Sequence, residues 1–170
     1  MPKVTRHTRV DDVTNPGIRW PAGAGAWPLT PHRDGRGFFM EVVRVADLGK
    51  RGFSPAQVSV SETVPGVTKA FHFHLRQTDL FCPLAGRFRI VLLDGREGSA
   101  TRGEALSIYS QGGRPFILRI PPGVAHGYRV LGDTPASMLY IMDREYDPSD
   151  EHRVEWDDPA VGFPWDEGSL

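Results

Sequence analysis

Cysteine is almost missing from this chain: Cys82 is the single one in 170 residues, so no intrachain disulfide can form. It follows Phe81 in an apolar run, the setting of a buried core thiol. No apolar stretch approaches the roughly 18 residues of a membrane span. The opening Met1-Pro2-Lys3-Val4-Thr5-Arg6 lacks the apolar centre of a secretory signal, and the chain reads as soluble and cytoplasmic. Charge of one sign is also lacking. With 20 basic and 21 acidic residues the net charge is -1, which gives no reason to expect nucleic acid or a membrane surface as partner. A sustained helical stripe of apolar residues is absent as well.

What is abundant is punctuation. The 19 glycines and 15 prolines fall mostly between short apolar runs. These runs are Phe39–Val45, Gln57–Ser61, Val67–His74, Leu80–Leu84, Phe88–Leu93, Ala105–Tyr109, Phe116–Ile120, His126–Val130 and Ser137–Met142. Short strands at such spacing predict one all-β sandwich or barrel. Residues 1–28 are expected to be an irregular N-terminal segment and 29–170 the barrel, with the tail packed on it through Trp156 and Trp165. Helical turns are expected only near Asp47–Arg51 and Pro148–His152.

The chemistry lies in two spaced motifs. Gly66-x5-His72-Phe73-His74-x4-Asp79-x6-Gly86 is followed by Pro121-Pro122-Gly123-x2-His126-Gly127. His72 and His74 share one strand face and Phe71 and Phe73 the other, so phenylalanines in the inter-sheet core would leave the histidines at a polar mouth. Gln57, Ser59 and Ser61 share a face on an earlier strand. Lys69 is out of phase with His72 and joins the site only if a bulge re-aims it. Two chemistries remain open at this point. His72, His74, Asp79 and His126 could bind one divalent transition metal. Alternatively, an imidazole removes a proton beside a carbonyl and Tyr140 returns one on the other face.

These motifs resemble those of the dTDP-4-dehydrorhamnose 3,5-epimerase family, a branch of the cupin superfamily. Asp34-Gly35-Arg36-Gly37-Phe38-Phe39-Met40-Glu41 is similar to its early Asp-x-Arg-Gly-x-Phe-x-Glu, and Gln57-Val58-Ser59-Val60-Ser61 to its Gln-x-Asn-x-Ser. Gly66-Val67-Thr68-Lys69-Ala70-Phe71-His72 and Ala125-His126-Gly127-Tyr128 have counterparts there, as do Asp94-x-Arg96-x2-Ser99-x-Thr101, Tyr140, Tyr146-Asp147-Pro148 and Pro164-Trp165. The resemblance implies a double-stranded β-helix (jelly-roll) barrel. It implies an epimerase or isomerase of a dTDP-4-keto-6-deoxyhexose, without cofactor or metal, acting as a homodimer. His72 would be the base, Tyr140 the acid, and His126 a holder of the enolate oxygen. Arg36, Phe39, Glu41, Gln57, Ser59 and Lys69 would bind substrate, with Arg36, Phe39 and Glu41 serving the neighbouring subunit. Departures keep two alternatives open, a metal-dependent cupin enzyme on His72, His74, Asp79 and His126, and a non-catalytic sugar-nucleotide binder. An Asp79 stands where the family has lysine, His74 where it has glutamine or similar, Ser59 where it has asparagine, and Lys69 where it has arginine. The family's base-orienting Asp lies in a segment without counterpart before Leu170, which leaves Asp94 as the expected partner of His72.

Overall fold

The computed structural model describes residues 1–110 and 114–165. Its elements are β1 (Arg6–Val10), β2 (Gly25–Pro28), β3 (His32–Asp34), β4 (Gly37–Phe39), α1 (Val45–Lys50), β5 (Gln57–Thr63), β6 (Thr68–Phe73), β7 (Asp79–Ala85), β8 (Arg87–Asp94), β9 (Glu104–Ser110), β10 (Phe116–Ile120), β11 (Val124–Leu131), β12 (Ala136–Met142) and β13 (His152–Arg153). Two sheets face each other, one ordered β1-β9-β8-β11-β6-β13 and the other β2-β10-β7-β12-β5. The hairpin β3–β4 stands apart from both.

The pairing is nested. β8 pairs with β9, β7 with β10, β6 with β11 and β5 with β12, all antiparallel, the pairs alternating between the two sheets. This is the pattern of a long hairpin rolled up on itself, the jelly roll expected from the sequence. The apolar runs from Gln57 onward all became strands. Phe39–Val45 did not: the chain leaves β4 at Phe39 and enters α1 at Val45, with Leu48 buried beneath the helix. The segment expected to be irregular supplies two strands. β1 runs parallel to β9 and β2 lies antiparallel to β10, each capping an edge that would otherwise expose unpaired backbone groups.

Three apolar clusters hold the layers. Phe81, Phe88, Ile90, Leu92, Ile108, Leu118, Val124 and Tyr128 fill the space between the sheets. α1 covers the outside of the second sheet over Leu80, Cys82, Ile117 and Ile141. The third cluster lies on the outside of the first sheet, where Phe71, Val91, Leu93 and Ala125 lie under Val161, Phe163 and Trp165. Each such aromatic contributes on the order of 1.5–3 kcal/mol by burial. Here the sequence-based direction was inverted. Phe71 packs outward, against Phe163 at 5.9 Å and Trp165 at 5.4 Å between ring centroids. The C-terminal segment makes that outer face dry, so the histidines on the other parity point in between the sheets.

Candidate active site

A regular antiparallel pair would keep Lys69 and His72 on opposite faces of β6. The register between β6 and β11 breaks this rule: His126 stands opposite His72, but Tyr128, two residues on, stands opposite Lys69, three residues back. One extra residue on β6 is a β-bulge, and it brings Lys69 to the wall that carries His72. The bulge presses on Gly127. A Cβ there would lie 2.2 Å from the Ala70 Cβ and 2.6 Å from the Lys69 carbonyl oxygen.

A cavity of about 620 Å³ opens at this place, the size of a small-molecule site. Lys69, His72, Tyr128, Tyr140, Arg153 and Trp156 are among the residues lining it. Arg153 arrives because β13 pairs with β6 at His72. Burial holds the His72 imidazole well below its ordinary pKa, with His126, His74 and Arg153 pushing the same way. The ring is therefore neutral at pH 7, the form that accepts a proton.

The tyrosines form a second group. The Tyr140 hydroxyl lies 2.8 Å from Ser61 Oγ and 3.0 Å from the Tyr128 hydroxyl, and Tyr128 also meets Thr63 Oγ1 at 3.0 Å. Burial pushes the Tyr140 phenol up, and its contact with Tyr128 adds to that, so it stays protonated. Tyr128 moves down: burial opposes ionisation, but hydrogen bonds with Ser61, Thr63 and Tyr140 outweigh it, and Lys69 adds positive charge. Tyr128 was not singled out from the sequence, although it lies two residues beyond His126 on the same strand parity. Ser61 and Thr63, the two ends of that network, likewise follow from the parity of β5.

Beneath His72 lies a buried polar cluster. His74, Asp79 and His126 are 8%, 3% and 1% exposed. Asp79 Oδ2 is 3.5 Å from His74 Nε2 and 3.3 Å from His126 Nε2. One donor atom from each of these residues and from His72 lies within 4.8 Å of all the others. His74 Nδ1 meets the Asp150 carbonyl at 3.0 Å and His126 Nδ1 the Val124 carbonyl at 3.0 Å. Asp150 also accepts the backbone N–H groups of Leu75, Arg76 and Gln77 on its carboxylate, fixing the turn that carries His74. His126, expected to hold the enolate oxygen, is not among the residues lining the cavity, and its Nδ1 meets the Val124 carbonyl.

Other expected residues scatter. Gln57 and Ser59 face inward from β5 and bond each other at 3.2 Å, and Gln57 Oε1 accepts the Tyr146 N–H. Neither lines the cavity. Arg36, Phe39 and Glu41 sit on or beside the β3–β4 hairpin, away from the cavity of their own chain, with Phe39 68% exposed. Asp94 does not orient His72. It is fully buried and engaged by Arg96, Ser99 and Thr101.

Against known proteins, the family model for dTDP-4-dehydrorhamnose 3,5-epimerase matches residues 22–170. The chain belongs to that family. It is 46% identical over 139 residues to the spore coat polysaccharide biosynthesis protein SpsL of Bacillus subtilis, covering 81% of this chain and 91% of SpsL. It is 32% identical to a dTDP-4-dehydrorhamnose 3,5-epimerase of Mycobacterium tuberculosis, over 83% of this chain and 73% of that one. Among solved structures, a dTDP sugar isomerase from Desulfovibrio desulfuricans superposes with a TM-score of 0.78 at 31% identity, covering 85% of this chain and 92% of that one. The jelly-roll fold and the family resemblance read from the motifs therefore both hold.

Proposed function

We propose that this protein is an isomerase that epimerises a dTDP-4-keto-6-deoxyhexose by proton transfer beside the ketone. The observation that carries the reading is the pairing of a neutral His72 and a protonated Tyr140 in one cavity. His72 takes the C–H proton next to the C4 carbonyl, leaving an enolate. Tyr140 then gives its O–H proton to the same carbon from the opposite face. The cycle closes when His72 releases its proton to solvent and Tyr140 regains one from solvent, relayed through Tyr128 at 3.0 Å. Lys69 takes over the part expected of His126, holding the enolate oxygen with its ammonium group. Substrate and product are isomers, so the step needs no redox cofactor.

The relatives support the substrate class, since several are dTDP-4-dehydrorhamnose 3,5-epimerases. A Streptomyces structure described as a 3'-monoepimerase, ChmJ, at 25% identity and a TM-score of 0.77, widens the choice to one or two centres. The exposed Arg36, Phe39 and Glu41 fit a homodimer in which each hairpin completes the other subunit's cavity. No helix of the described residues is long and apolar enough to cross a membrane. We place the activity in the cytoplasm, the compartment that suits a reduced, buried Cys82.

The test is solvent deuterium incorporation into dTDP-4-keto-6-deoxyglucose. Label at C3 alone or at C3 and C5 reports the number of centres. His72→Ala is expected to abolish exchange, and exchange at the normal rate in that variant would sink the assignment.

A further inference from the structure

The buried cluster under His72 gathers potential ligand atoms from four side chains within 4.8 Å of one another. A carbonyl oxygen can only accept, so His74 Nδ1 and His126 Nδ1 must each carry the proton in their contacts with Asp150 and Val124. The Nε2 atom of each ring is then the one turned to the cluster's centre, facing Asp79 Oδ2 at 3.5 and 3.3 Å. Three potential ligand atoms converge there. The His126 Nε2 is fully buried and has no hydrogen-bond partner. Among the described residues the ion-pair partners of Asp79 are these two imidazoles, with no Lys or Arg. A carboxylate 3% exposed is stabilised by positive charge beside it, which a bound cation would supply.

We infer that His74 Nε2, His126 Nε2 and Asp79 Oδ2 form a binding site for one divalent first-row transition-metal ion. Ligands held about 2.0–2.2 Å from such an ion in tetrahedral geometry stand roughly 3.3–3.6 Å apart, and the two N···O separations match that. Two imidazoles and one carboxylate select a transition metal over Mg²⁺ or Ca²⁺, which prefer oxygen donors. The surrounding contacts are those of a metal site. Each ligating histidine donates its other N–H to a backbone carbonyl, and Gln77 donates to the second Asp79 oxygen at 2.7 Å. The same Gln77 amide also touches His74 Nε2 at 3.3 Å, a contact that the ion would displace.

His72 is the one cluster member that lines the cavity and the one with no carbonyl fixing its ring. It is therefore outside the required ligand set and stays free to act as base. The inference does not depend on the epimerase reading, because the metal alone is the probe.

The test uses protein without a histidine tag, stripped with chelator and titrated with Zn²⁺ and Co²⁺ by calorimetry and by visible absorption. One ion per chain is expected, with the intense Co²⁺ bands of a four- or five-coordinate site. His74→Gln and Asp79→Asn should each weaken binding at least 100-fold, and His72→Asn less than tenfold, with thermal melts confirming that each variant is folded. Absence of stoichiometric binding to the wild type overturns the site. So does a loss in His72→Asn equal to that in His74→Gln, which would put the ion on the base itself. If a ligand variant does not fold, the wild-type stoichiometry and the His72→Asn comparison still decide.

Discussion

Replacing Gly127 by alanine strikes the bulge that brings Lys69 beside His72. The backbone there is not in the left-handed region, so the cost is purely one of space. The new methyl would lie 2.2 Å from the Ala70 Cβ, 2.6 Å from its Cα and 2.6 Å from the Lys69 carbonyl oxygen, two of which are backbone atoms that cannot rotate away. Ordinary carbon contacts are about 3.5–4.0 Å, so β6 and β11 must part by roughly 1.5 Å at this point. Overpacking of this kind costs about 1–3 kcal/mol, which for a domain of this size lowers Tm by roughly 3–10 °C. A shift near 1 Å in a reacting group costs about 100-fold in rate. Gly127→Ala should therefore stay folded while deuterium exchange falls about 100-fold. Gly25→Ala is the control, since its Cβ would meet nothing within 4 Å. Exchange within twofold of wild type in Gly127→Ala would refute the claim that the bulge aims Lys69 and His72.

Asp94→Asn should cost about 3 kcal/mol, because Arg96, Ser99 and Thr101 all converge on that buried carboxylate. Burial raises its pKa, but those hydrogen bonds outweigh it and hold the carboxyl well below the usual range. A lowered native value gives stability that is complete above the ordinary Asp pKa near 4 and is lost as pH falls further. Chemical melts of the two proteins should accordingly converge in acid, and an undiminished gap there would contradict the assignment. Tyr140→Phe should lower kcat about 100- to 10,000-fold while still allowing His72 to wash solvent deuterium into the substrate, readable by mass spectrometry. Burial pushes the Cys82 thiol up to about 12, so iodoacetamide should label it only after denaturant unfolds the chain, as followed by intact mass.

Strand identity was legible from Gln57 to Met142 because turn residues bracket each apolar run and parity assigns the faces. Direction was not legible. Phe71 and His72 occupy opposite faces in either reading, and only Phe163 and Trp165, ninety residues later, decide which face is dry. β1 and β2 were missed because Arg6–Val10 and Gly25–Pro28 carry no alternating apolar pattern; they are edge strands recruited by backbone pairing. His72 and Tyr140 were named from the sequence and Lys69 only on condition of a bulge, and all three line one cavity. The retreat of His126 from the cavity was not, because it depends on a carbonyl two residues away, and backbone contacts leave no mark in the sequence. Tyr128 was within reach, as the next residue of matching parity after His126.

The nested pairing also favours an order of assembly on loop-closure grounds. β8–β9 can close first, and β7–β10, β6–β11 and β5–β12 then close successively longer loops around it. Topologies dominated by such distant pairings fold slowly. Asp79 belongs to the second ring of this assembly, His72 and His126 to the third, and Tyr140 to the last. If the roll closes in that order, Tyr140, the acid we propose, is placed last, and the cavity is complete only with the final strand pair.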